Sequence, residues 1–140
     1  MRRPALLLLL LVAIAACGDS QTASQSGYEP AHLDAVAGRE VKLVTFTAEG
    51  ARRTGVETAA VRRRGAHLVV PYAALVYDGQ GESFVYTSPR PLRYLRAPVT
   101  VDRVAGDAVL LSSGPKPGTA VVTIGATEVY GTELEIAGDH

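Results

Sequence analysis

Residues 70–126 read VPYAALVYDGQGESFVYTSPRPLRYLRAPVTVDRVAGDAVLLSSGPKPGTAVVTIGA. Short runs rich in Val, Leu, Tyr and Thr are cut at regular intervals by turns bearing Gly, Pro and Asp, the rhythm of a small all-β unit built from hairpins. Asp78-Gly79-Gln80-Gly81 predicts a hairpin loop leading into a strand over Ser83–Ser88, which Pro89 and Pro91 end. The run from Leu92 to Arg103 is long enough to bend, with Pro98 marking an edge or bulge. Ala105-Gly106-Asp107 turns into Ala108–Ser112, and Pro115-Lys116-Pro117-Gly118 turns into Ala120–Ile124. The near-continuous apolar run of that last strand predicts burial on both faces. Val129–Ile136 reads as a final, peripheral strand.

Upstream, Val41–Phe46 reads as a strand and Thr47 is placed to N-cap a short helix over Ala48–Arg53. Glu49 in its first turn and Arg52 and Arg53 in its last suit the helix dipole, and Gly55 can close it in a left-handed conformation. Val56–Val61 returns as a strand. Arg62-Arg63-Arg64 is the one dense basic run. It is read as a solvated turn between strands or as a contact for anionic lipid headgroups.

The Val-Pro opening, the Asp-Gly turn before Phe84-Val85-Tyr86 and the Pro98–Val101 strand stand in a fixed order. The Gly106-Asp107 turn and the Ser-Gly-Pro-Lys-Pro-Gly run into Ala-Val-Val-Thr-Ile-Gly follow them. In that order they resemble the C-terminal, membrane-proximal part of the periplasmic adaptor subunits (membrane fusion proteins) of RND-type efflux transporters. The strand–TAEGARRTG–strand unit is similar to the lead-in of many adaptors, with Ala48 where that pattern usually has Pro. The resemblance covers roughly residues 41–130 and implies a docking subunit without catalytic chemistry. In a full-length adaptor a long insertion carries the lipoyl-like domain, the α-helical hairpin and most of a β-barrel. Here Arg64–Pro71 joins the two pieces directly, and no heptad pattern or lipoyl-type repeat is found. A chain without those parts cannot bridge two membranes.

At the N-terminus, Arg2 and Arg3 precede an apolar run, Leu6–Ala16, that is shorter than the ~20 residues a bilayer core requires. Residues 1–16 therefore read as a signal peptide. Ile14-Ala15-Ala16-Cys17 resembles a bacterial lipobox, which implies that Cys17 carries a diacylglycerol thioether. A lone cysteine in an exported chain has no disulfide partner, and lipidation accounts for it. Residues 17–39 are polar and aperiodic and predict a flexible linker spanning roughly 25 Å. Within them His32-Leu33-Asp34 suits a short helical turn.

The 140 residues therefore divide into 1–16 (signal peptide), 17–39 (lipidated Cys and linker) and 40–140 (β domain). Lead-in elements fill 40–69 of that domain and a membrane-proximal-like β-roll fills 70–136. The expected fold class is mainly β, a small antiparallel β-roll or barrel-like module with one short helix. Acidic and basic side chains balance at 14 each; without Arg2 and Arg3 the balance is 12 basic to 14 acidic, a net charge of −2. Such a chain lacks the clustered basic surface that nucleic acid demands. There is no Gly-x-Ser-x-Gly, His-Glu-x-x-His, phosphate-binding Gly-rich loop or Cys pair. His32, His67 and His140 are scattered. The expectation is no enzyme activity, no cofactor and no metal.

The tyrosines Tyr72, Tyr77, Tyr86, Tyr94 and Tyr130 read as cover for a small core with wet hydroxyls, or as the lining of a ligand groove. Arg90, Arg93, Arg96 and Arg103 read as solvent-side polar residues or as a docking face. Arg93 and Arg96 join Arg62, Arg63 and Arg64 as candidate docking or lipid-contact residues. The functional expectation is a lipid-anchored protein on the extracytoplasmic face of the cell membrane. Its partners would be the membrane itself and a transporter permease. The alternative is a ligand- or cell-wall-binding lipoprotein with a β-lined groove.

Overall fold

The computed structural model describes residues 28–138. The signal peptide, the lipobox residues Ile14, Ala15 and Ala16, Cys17 and His140 lie outside them. Strands dominate: β1 (Ala31–Ala35), β2 (Lys42–Phe46), β3 (Glu57–Ala60), β4 (Arg62–Arg64), β5 (His67–Pro71) and β6 (Val76–Tyr77) come first. They are followed by β7 (Ser83–Arg90), β8 (Arg93–Pro98), β9 (Thr100–Ala105), β10 (Ala108–Ser113) and β11 (Ala120–Ile124). Helix α1 (Ala48–Thr54) lies between β2 and β3, and helix α2 (Ala126–Gly138) follows β11.

All pairings are antiparallel. One sheet runs β1-β2-β8-β7-β11-β3, with β6 also on β7; the other runs β4-β5-β10-β9. The chain passes between sheets at two corners that the sequence marks. Val61, between β3 and β4, donates its N–H to Thr119 and accepts from Gly118 N–H. Val99, just after Pro98, donates to the Ser83 carbonyl as β8 gives way to β9. Strands that switch sheets in this way join the two antiparallel layers into one small β-rich module.

Two apolar clusters fill the interior. Val61, Val70, Val85, Val109, Leu111 and Val121 pack between the sheets. Val44, Phe46, Phe84, Tyr86, Tyr94 and Val122 lie on the other face of the larger sheet, under Ala126 and Val129 of α2. Consecutive residues of a strand point to opposite faces. Val121 and Val122, both fully buried, therefore serve one cluster each, as the unbroken apolar run predicts.

The lead-in forms as read. Thr47 Oγ1 accepts from Gly50 N–H at 3.0 Å, and Gly55 closes α1 at φ 63°. The Asp78–Gly81 loop also forms, with Asp78 Oδ1 accepting from the N–H groups of Gln80 and Glu82.

Strand β7 runs through Pro89 to Arg90 rather than ending at Ser88, with Pro89 exposed at the hairpin end, and two larger expectations are overturned. Val129–Ile136 is not a peripheral strand but the body of α2, and it covers a core. Ala126, Val129, Tyr130, Glu133 and Ile136 recur at helical spacing, and the glutamate at a core position hides that stripe. The second concerns the linker. Residues 31–35, expected in a flexible segment with a helical turn at His32–Asp34, are an edge strand paired with β2. The Pro30 carbonyl accepts from Thr47 N–H at 2.9 Å, and Ala31 is fully buried. A Cβ on Gly50 would overlap the Pro30 carbonyl oxygen, so only glycine lets α1 sit so close to the start of β1.

Candidate functional site

The polar centre of the molecule is built across β7, β8 and α2. Tyr86 and Arg96 stand directly opposite each other on neighbouring strands, and that register puts both side chains on the α2 face. Glu133 descends from α2 between them. It accepts a short hydrogen bond from the Tyr86 hydroxyl and a charge-assisted one from Arg96 Nε at 2.7 Å. Glu133 is 6% exposed. The Arg96 guanidinium lies 4.7 Å from the ring centroids of both Phe84 and Tyr130. Those two rings meet edge to face at 5.4 Å. A buried carboxylate is tolerated when it is paired and hydrogen-bonded, and both conditions hold here.

The electrostatics follow. Burial, with the hydrogen bond to Glu133 second, pushes the Tyr86 phenol far above its ordinary value of 10.0. Burial raises Tyr94 as well. For Arg96 burial pulls the guanidinium down, but Glu133 and Tyr86 outweigh it and the net shift is upward. The cluster holds a neutral phenol and a permanent cation around one carboxylate. It has no nucleophile beside a base, and its chemistry is that of a clamp between helix and sheet.

Arg96 is therefore not one of a row of free docking arginines. It is spent on Glu133, with its side chain only 20% exposed. The tyrosines divide. Tyr86 and Tyr94 are core, and the Tyr86 hydroxyl is bonded within the protein rather than wet. Tyr72 and Tyr77 are half exposed, and Tyr130 packs at the margin. A surface groove of about 380 Å³ runs beside the clamp, lined by Glu82, Ser83, Phe84, Arg96, Thr100 and Ser113 among others.

Arg62, Arg63 and Arg64 form β4, a fully exposed edge strand of the smaller sheet, rather than a turn. Arg90 and Arg93 face each other across the β7–β8 hairpin, both exposed, and Arg103 is exposed on β9. His32 approaches Asp34 at 3.7 Å and His67 approaches Asp102 at 3.3 Å, both at the surface. Among the described residues no group of three His, Cys, Asp or Glu side chains is placed to hold a metal ion. No described helix is long and apolar enough to cross a membrane. The fold and the clamp together define a small two-sheet β module latched by a C-terminal helix. Compared with family models and with curated proteins, the chain matches none.

Sequence reasoning missed Glu133. The signal available to it was the helical spacing of Val129, Tyr130 and Ile136, with an acid at the next inward position.

Proposed function

We propose that this protein is a lipid-anchored, extracytoplasmic accessory subunit, akin to a shortened periplasmic adaptor. It docks without catalysis on an RND-type or related efflux transporter. The observation that carries the reading is the pairing of β2 with β8 and of β3 with β11. Strands β2 and β3 of the lead-in flank β8, β7 and β11 of the 70–126 segment in the larger sheet, so the two stretches with adaptor-like order share that sheet. Where an adaptor has its long insertion, this chain has the β4–β5 hairpin, turned at Gly65 with φ 60°. Cys17, in its lipobox-like setting, supplies the anchor. Two or more acyl chains at about 0.8 kcal/mol per buried methylene hold a protein of this size firmly to a bilayer.

The test is recovery of the tagged protein from native membranes in mild detergent, with and without prior cross-linking. A permease of the RND type or a related class should be enriched over an untagged control. Recovery of no transporter under either condition contradicts the reading.

A further inference from the structure

One end of the larger sheet is basic, and the register fixes which residues share it. Phe46 at the close of β2 bonds to Leu92 in the β7–β8 turn, Arg90 pairs with Arg93, and Ala120 pairs with Ala60. Val61 bonds to Gly118 and Thr119. This end therefore gathers Arg62, Arg90, Arg93 and Lys116, and Arg52 of α1 lines a groove with Leu92 beside them. All five are exposed, and none is in an ion pair among the described residues. The acids nearby are few. Glu49 is taken by Arg53 at 2.6 Å, Glu57 lies on the α1 side of the groove, and Asp107 lies by Arg62. At the opposite end the strands open from Glu40, Asp78 and Glu82, with Arg39 and Lys42.

The turn at the basic end also breaks two local rules. Leu92 sits at φ 66° after Pro91, a position where Gly or Asn is usual. Arg90 and Arg93 place like charges directly opposite, which is unfavourable in a hairpin. Strain and repulsion concentrated at one exposed turn mark a place kept for contact rather than for stability.

We propose that this end, led by the Pro89–Arg93 turn, is the face the protein lays on an anionic phospholipid surface. Guanidinium groups spread over separate turns, around an open groove of about 480 Å³ lined by Pro89, Arg90, Pro91 and Leu92 among others, suit many mobile phosphates. The inference rests on the membrane placement proposed above and deepens it. The cations at the end name the contact, and Arg96 is not part of it.

The test is co-sedimentation of the full chain with phosphatidylcholine vesicles, with and without phosphatidylglycerol, over a salt series. Every variant carries the same N-terminal segment, so its share cancels. Phosphatidylglycerol should raise binding above that to phosphatidylcholine alone, which the N-terminal segment supplies, and this increment should weaken with salt. Arg90→Gln/Arg93→Gln should reduce affinity about thirtyfold, at about fivefold per basic residue. Arg39→Gln/Lys42→Gln, an equal charge change at the far end, should leave binding within about twofold of the parent. Equal weakening by both pairs, or none by the first, overturns the proposal. Vesicle binding unchanged by Arg90→Gln/Arg93→Gln while transporter recovery is lost assigns this end to an acidic protein surface and also overturns it. Vesicles hold no transporter, so this inference and the docking reading fail separately.

Discussion

At the scale of single residues, Glu133 decides how the helix is held. Arg96→Met strands a buried carboxylate, and loss of one partner of a buried pair costs about 3–5 kcal/mol. Replacing the whole cluster, as Tyr86→Phe/Arg96→Met/Glu133→Leu, removes every polar demand at once. Urea denaturation should place that triple variant within about 1 kcal/mol of the parent or above it, and well above Arg96→Met alone. The tyrosines add a pH term whose sign is fixed. Burial raises the phenols of Tyr86 and Tyr94 above 10.0, so the folded state holds those protons more tightly than the unfolded chain. Their contribution is complete below about pH 10 and is lost as pH rises from there toward the folded values. Each contributes a slope of up to about 1.4 kcal/mol per pH unit. Tyr86→Phe should therefore lower stability near neutral pH and flatten the alkaline decline. An unchanged alkaline slope in chemical denaturation would refute the assignment.

The elements show where sequence reasoning holds and where it stops. The 83–124 hairpins and the α1 caps were legible because their signals are local. Glycine, proline and aspartate punctuate the strands, and the Thr47 and Gly55 caps lie within one turn of the helix they end. α2 was hidden because Thr127, Val129, Tyr130 and Thr132 favour strands one by one and Glu133 interrupts the apolar stripe. What settles the helix is tertiary: Glu133 meets Tyr86, 47 residues away in sequence. β1 was hidden for the same reason, since AHLDA offers little apolar area and is held by Pro30, Thr47 and β2. The same non-locality kept the clamp out of sight, because pairing Tyr86 with Arg96 needs the β7–β8 register and the third member needs α2. The helix makes its own prediction. Val129, fully buried, should cost about 2 kcal/mol as Ala, whereas exposed Leu134 should stay within about 0.5 kcal/mol. Equal losses at the two sites, by thermal or chemical unfolding, would mean that α2 does not lie on the sheet as described.

For the whole molecule, the two-sheet body, its latching helix and its distribution of charge describe a unit whose ends differ. One end gathers Arg52, Arg62, Arg90, Arg93 and Lys116 around a strained turn, and the other carries Glu40, Asp78 and Glu82 beside only Arg39 and Lys42. A covalent anchor at Cys17 would keep such a unit beside the bilayer, where a basic end finds anionic headgroups and the body meets the outer domains of a permease. The proposed transporter docking and lipid contact both rest on that anchor. Mass spectrometry of the N-terminal peptide from the membrane-extracted protein tests it most directly. A chain beginning at Cys17, with diacylglycerol on its sulfur, is the predicted result. A chain retaining residues 1–16, or one bearing a free Cys17 thiol, would contradict the account.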